Sequence, residues 1–399
     1  MSGAQDASSR PLTIMLVAGE PSGDQLGAQL MEGLKALTAA SGRPLRIVGV
    51  GGPAMTGAGL DSLFPLDATS VMGLREVVPR IPEILRRVRS AAAFALRTRP
   101  DLVVLIDSPD FTHRIARRLK RIDPSIRTAN YAPPQVWASR AYRARQMARY
   151  MDAILALLPF EVPFFERYGI ESHFVGYPVI ERAARMTGGR EFRARHAIPE
   201  GAPLLAVLPG SRRNEIRFIL PAFKGAVKIL ARDMPGLVTV IPTVPHVAAM
   251  VRKAARDWPV PIHVIEGEEE KFAAFAAAHA ALAASGTVTS ELALARTPMV
   301  VAYRTGWLTY VLGRGFMRVP YIVLINLVLG RKAIPEFIQI DCAAMPLAKA
   351  AKRLFDDPVF RDKQVDDMGE ALRALGQGEE APSLRAARAV LELAARPES

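Results

Sequence analysis

Leu204-Leu205-Ala206-Val207-Leu208 runs directly into Pro209-Gly210-Ser211-Arg212-Arg213-Asn214-Glu215-Ile216, and this junction decides the fold class. Five aliphatic residues without polar alternation read as a strand buried on both faces, which is the habit of parallel sheets. Proline and glycine then end the strand, and a helix opens behind them. Gly210 and Ser211 allow close approach of the backbone to a ligand. The helix start offers N–H groups with no partner of their own, and Arg212 brings a guanidinium that grips phosphate oxygens two at a time. The junction reads as a diphosphate site; the plain alternative is a surface turn with solvated arginines.

The same grammar recurs on either side. Aliphatic runs at 13–17, 46–50, 102–106 and 154–158 precede the junction, and others at 238–241 and 299–302 follow it, with intervals long enough for crossover helices. The fold class is therefore α/β. The series breaks near Gly176-Tyr177-Pro178, so the reading is two Rossmann-like doubly wound domains facing across a cleft, residues 1–180 and 181–378. A length of 399 residues suits two cores better than one. From 379 onward Leu384, Ala387, Leu391 and Ala394 mark an amphipathic helix whose packing partner the sequence does not name.

In such sheets ligands gather where strands end, so the residues after each run carry the chemistry. After the first come Gly19-Glu20-Pro21-Ser22-Gly23-Asp24, a small-residue turn opening a helix; Glu20, Ser22, Gly23 and Asp24 are candidates to bind substrate. A tight capped turn explains them as well. After the third stands Asp107-Ser108-Pro109-Asp110-Phe111. Asp107, nearest the strand tip, is the candidate general base toward a hydroxyl, while Asp110 is better placed to cap the helix. In the second half Ser285-Gly286-Thr287 can hydrogen-bond phosphate oxygens, and Glu291, one helical turn on, can accept from ribose hydroxyls or simply complete a capping box. Between 71 and 99 an apolar series edged by arginines (Leu74, Val77, Val78, Ile81, Leu85, Arg86, Arg87) suits either an anionic bilayer surface or an ordinary domain helix.

Composition narrows the classes. A formal charge of +13 favours anionic partners without choosing among them, but no nucleic-acid recognition motif is present. One cysteine, Cys342, excludes an internal disulfide framework, and the six scattered histidines lack ligand spacing, so no metal is expected. The first apolar run is too short for a signal peptide and no run reaches a membrane span, so any membrane contact is peripheral.

Taken in order, the turns after 18, 106, 208 and 284, together with Gly49-Val50-Gly51-Gly52-Pro53, Val71-Met72-Gly73, Val136-Trp137-Ala138, Leu158-Pro159-Phe160-Glu161 and Asn326-Leu327, resemble the motifs of lipid-A-disaccharide synthases over nearly the whole chain. The resemblance implies a GT-B type glycosyltransferase that takes an acylated UDP-sugar donor, UDP-2,3-diacylglucosamine, and an acylated sugar-phosphate acceptor, 2,3-diacylglucosamine 1-phosphate. It also implies inversion, no cofactor beyond these substrates, substrate contact by Asn326, and a cytoplasmic enzyme held peripherally on the inner membrane. A homodimer is left open. The chain departs from the family pattern at Pro133-Pro134-Gln135 and Ser139, where Ser-Pro-Ser and a final Trp are common, at Tyr177, where His is usual, and at Thr112, where Asn is frequent. The rivals are a related UDP-sugar transferase or epimerase with another substrate, and a catalytically silent lipid- or nucleotide-binding paralogue.

Overall fold

Seven consecutive buried residues, Leu12–Ala18, form the first strand, β1, in a computed structural model that describes residues 10–66, 81–306 and 319–396. It pairs in parallel with β2 (Leu45–Val50) on one side and β3 (Leu102–Ile106) on the other. Beyond β3 lie β4 (Thr128–Tyr131), β5 (Ala153–Ala156) and β6 (Glu171–Phe174), giving a six-stranded sheet of order β2-β1-β3-β4-β5-β6. The helices of this unit are α1 (Pro21–Ser41), α2 (Pro53–Gly57), α3 (Ile81–Thr98), α4 (Pro109–Ile122), α5 (Val136–Ser139), α6 (Tyr142–Met147) and α7 (Glu161–Glu166).

The second unit spans Val179–Gln377. Its strands are β7 (Leu204–Leu208), β8 (Val238–Thr243), β9 (Ile262–Glu266), β10 (Ala280–Ala284), β11 (Met299–Tyr303) and β12 (Glu336–Ile338), all parallel, in the order β12-β11-β10-β7-β8-β9. Counted from its own first strand, this is the Rossmann order 3-2-1-4-5-6. Its helices are α8 (Gly189–Arg195), α9 (Arg213–Asp233), α10 (Pro245–Ala255), α11 (Glu268–Ala277), α12 (Thr287–Leu294), α13 (Leu324–Leu329), α14 (Ala344–Asp356) and α15 (Pro358–Ala374). Aliphatic side chains of β7, β10 and β11 meet α9 and α14 in one of its cores.

The last helix, α16 (Pro382–Ala395), belongs to the first unit. Ala386, Ala387, Val390 and Leu393 complete that unit's core beneath β1 and α1. The approach is close enough that a Cβ on Gly33 of α1 would meet the Ser383 carbonyl at 2.8 Å. Arg127 donates to the Leu393 carbonyl, and Arg396 pairs with Glu171 at the end of the chain's return.

α3 resolves the apolar, arginine-edged series in part. Val88, Ala91, Ala92 and Ala95 are core. Ile81 and Arg86 are exposed and Leu85 is half-buried, a face still free to meet an apolar surface. Arg87 is a correction: its guanidinium is spent inside the unit, on Glu83 at 2.8 Å, on the Pro65 carbonyl and over the Phe64 ring. Leu74, Val77 and Val78 lie outside the described residues. Among the described residues no helix is long and apolar enough to cross a membrane.

Candidate functional site

Each sheet reverses direction at one point, and there the loops after neighbouring strands part to make a ligand crevice. In the first unit this point lies between β1 and β3, whose following turns carry the Glu20–Asp24 stretch and Asp107. In the second it lies between β7 and β10, whose turns carry Gly210–Arg212 and Ser285–Thr287.

Asp107 and Ser108 are successive non-glycine residues with φ of +51° and +44°. Such a turn costs on the order of 1–3 kcal/mol per residue and persists only where its surroundings hold it. Here the Asp107 amide donates to the Tyr131 carbonyl, and the buried Thr112 hydroxyl donates to the Asp107 carbonyl at 2.7 Å. Thr112, where the family often has Asn, thus pins the strained turn. The Asp107 carboxylate is half-buried and held by two donors, the Ser22 hydroxyl and the Ser108 amide, each at 2.7 Å.

The other candidates of this turn divide. Ser22 is exposed and touches Asp107; Glu20 is half-buried at the start of α1. Gly23 has a packing role instead: a Cβ there would press on the Ile106 carbonyl at 3.0 Å, so the missing side chain lets α1 sit against the end of β3. Asp24 is a correction. It is 3% exposed, and its carboxylate accepts from the amides of Gly52, Ala54 and Met55 at 2.7–3.0 Å, which caps α2 and engages both oxygens inside the unit.

Two quoted motifs meet as one contact. Trp137 donates its indole N–H to Glu161 at 2.9 Å, and the amides of Leu157 and Leu158 donate to the same carboxyl group. Burial nonetheless raises Glu161 to about 7, against the pull of these three donors. In the same unit, His113 lies buried between Asn130 and Tyr150, and burial lowers it to about 4. The signs oppose. A folded-state carboxyl that keeps its proton above the usual 4.5 loses stability as pH rises toward 7, whereas a histidine kept neutral gains stability as pH rises from 4 to 6.5. Glu161→Gln should therefore remove a falling slope, and His113→Gln a rising one, each of at most about 1.4 kcal/mol per pH unit. Urea unfolding at intervals from pH 4 to 8 checks this; variant curves parallel to wild type would contradict it.

In the second unit the two turns line a cavity of about 290 Å³ with Gly210, Ser211, Arg212, Ser285, Gly286 and Thr287 on its walls. Residues given no role from the sequence complete it: Thr243 at the end of β8 with Val244 after it, Lys271 on α11, and Glu215 on α9. Thr243 has a buried hydroxyl with no hydrogen-bond partner among the described residues. Lys271 and Arg182 both hold Glu291, at 2.9 and 2.6 Å, so this buried carboxylate enters the cavity as part of an ion-paired group rather than as a helix cap. Glu215 accepts from the amides of Ser211 and Arg212 and pairs with the Arg212 guanidinium at 3.0 Å, occupying the N–H groups read as a phosphate cradle. Ser285 donates its hydroxyl to the Ile322 carbonyl, leaving only lone pairs for a ligand, while Thr287 stands exposed at the start of α12.

Asn326 is a further correction. It is fully buried, its amide nitrogen donates to Ile334 and Glu336, and its oxygen accepts from Ala333 and Ile334. Every hydrogen-bonding position is filled by the protein, so in this arrangement the side chain locks the segment after α13. Among the described residues no cluster of three or more His, Cys, Asp or Glu side chains is arranged to hold a metal ion.

The fold has solved counterparts at low identity. A structure described as a putative UDP-N-acetylglucosamine 2-epimerase from Listeria monocytogenes superposes with a TM-score of 0.63 at 13% identity, covering 96% of this chain and 95% of that one. A UDP-forming alpha,alpha-trehalose-phosphate synthase from Burkholderia vietnamiensis gives 0.59 at 13% identity, with 98% of each chain covered. These likenesses concern architecture alone. Sequence relatives are far nearer. A lipid-A-disaccharide synthase from Rhodospirillum centenum is 47% identical over 384 residues, 96% of this chain and 95% of that one. Another from Rhodopseudomonas palustris is 44% identical over 395 residues, 98% and 99% of the two chains. The family model described as lipid-A-disaccharide synthetase matches residues 14–390, a span that takes in the strained turn at Asp107, the two turns that line the cavity and the start of the last helix: the chain belongs to the lipid-A-disaccharide synthases.

Proposed function

We propose that the chain is an inverting glycosyltransferase that joins UDP-2,3-diacylglucosamine to 2,3-diacylglucosamine 1-phosphate, releasing UDP and a β-1,6-linked disaccharide 1-phosphate. The observation that carries this reading is the cavity at the switch point of the second sheet, walled by both phosphate-type turns and backed by Lys271 and Glu291. UDP takes its diphosphate against the Gly210–Arg212 turn and Thr287, with Glu291 turned to the ribose hydroxyls. Glu215 must first leave the amides of Ser211 and Arg212, since one carboxylate oxygen now fills both. Asp107 removes the proton from the acceptor's 6-hydroxyl as that oxygen bonds to the donor's anomeric carbon from the face opposite UDP. The bond to the leaving phosphate breaks, and the charge it takes up is met by Arg212, Lys271 and the amides.

Once Glu215 has turned away, Arg212 and Lys271 remain at the cavity as charged donors to the leaving diphosphate, and the reaction is expected to run without metal. The acyl chains of both substrates give the exposed Ile81 and Arg86, with Leu85, a purpose at the cytoplasmic face of the inner membrane. The test is UDP release by purified protein in neutral detergent with both acylated substrates and a chelator. Turnover that needs both substrates and persists under chelation is expected. UDP release without acceptor would point to hydrolysis, and a strict need for divalent metal would overturn the metal-free step.

A further inference from the structure

A second cavity, of about 260 Å³, lies in the first unit and has no part in the chemistry described so far. Its walls come from α4, which starts directly behind Asp107, and from α6 with the residues after it. Pro109 and Asp110 form one rim; Arg114 and Arg117 follow down α4, and Arg143 faces them from α6. None of these three guanidiniums is ion-paired with a carboxylate among the described residues. Arg114 spends its Nε on the Asp110 carbonyl, 2.8 Å away, and Arg117 is stacked over the Tyr150 ring while donating to its hydroxyl. The Tyr150 hydroxyl in turn meets the buried His113, which Asn130 holds from the other side. Arg117 is thus seated by a buried chain of contacts and not left to wander.

Charge decides what fits. Among the described residues Asp110 is the only carboxylate on the wall, so three guanidiniums leave the cavity net positive by two, and His113, kept neutral by burial, adds nothing. A phosphate monoester carries nearly two negative charges at neutral pH and presents three terminal oxygens to forked donors. The volume suits one such headgroup with part of a ring, not an acylated sugar entire. We propose that this cavity is the seat of the acceptor's phosphate monoester, so that a sugar anchored there by its phosphate extends along the start of α4 toward Asp107.

This assignment rests on the glycosyl-transfer reading for the identity of the acceptor, but the binding chemistry can be tested apart from it. The variants are Arg143→Gln and Arg114→Gln, whose side chains anchor no core contact. Binding is followed by phosphorus NMR with glucosamine 1-phosphate as the probe. Wild type should shift the phosphate resonance on titration, each variant should weaken binding by about 10- to 100-fold, and glucosamine without phosphate should not compete. In neutral detergent the variants should raise KM for the acylated sugar phosphate to the same extent while leaving the donor KM unchanged. No resonance shift in wild type, or variants that bind the probe as wild type does, would overturn the proposal even if UDP is released. Variants that keep the acceptor KM but lose co-sedimentation with phosphatidylglycerol vesicles would overturn it too, assigning the arginines to lipid headgroups. Probe binding that behaves as expected without any UDP release would leave the cavity assignment standing and sink the transfer reading instead.

Discussion

Asp107→Asn is expected to lower kcat by about 100- to 10,000-fold, the usual worth of a positioned general base. The substitution keeps shape: its amide oxygen can still accept from the Ser108 amide while its NH2 donates to the Ser22 hydroxyl, so the turn should retain its form. What it removes is the capacity to take a proton. UDP affinity should stay within about twofold of wild type, because the residues proposed to hold UDP all belong to the other unit. Steady-state rates with saturating substrates, set beside calorimetric UDP binding, separate these effects. Activity near wild type would move the base elsewhere, with the exposed Asp110 next in line.

Arg212→Ala carries the second large expectation, a weakening of UDP binding by about 10- to 100-fold, since a charged hydrogen bond is worth roughly 1.5–3 kcal/mol. The sign is not trivial. In the unliganded protein Arg212 already has a partner, Glu215, and 64% of its side chain is exposed, so the solvent-screened pair adds little to stability. Removing Arg212 should therefore leave folding nearly unchanged while exposing bound phosphate to an uncompensated Glu215. A variant that binds UDP as tightly as wild type would show that the backbone amides and Lys271 suffice.

The fold was legible because its central strands are continuous aliphatic runs. Leu102–Ile106 and Leu204–Leu208 are buried at every position and were read at their observed bounds. The strands that escaped are those where burial does not demand aliphatic residues. The edge strands β6, β9 and β12 are half-buried, and their polar residues erase the run. β4 is fully buried yet reads Thr-Ala-Asn-Tyr, because Thr128 bonds Asp152 and the Tyr150 carbonyl while Asn130 bonds the Leu105 carbonyl.

Site residues were legible as positions, less so as roles. Turns at the ends of β1, β3, β7 and β10 were singled out, and the sheet orders place them at the two switch points. Sequence does not distinguish a carboxylate that faces solvent from one that caps the next helix. Asp24 and Asn326 carry the chemistry of ligand contacts but are saturated by the chain itself. Lys271 was missed because it stands near the start of the helix that follows β9, a strand the sequence did not reveal; Thr243 ends a strand already recognised and could have been found there.

Calorimetric titration of UDP into the intact wild-type protein, in the presence of chelator, tests the central claim most directly. One UDP per chain, bound without added metal and weakened at least about tenfold by Arg212→Ala, is the expected result. No heat of binding, or binding that appears only when a divalent ion is restored, would contradict it.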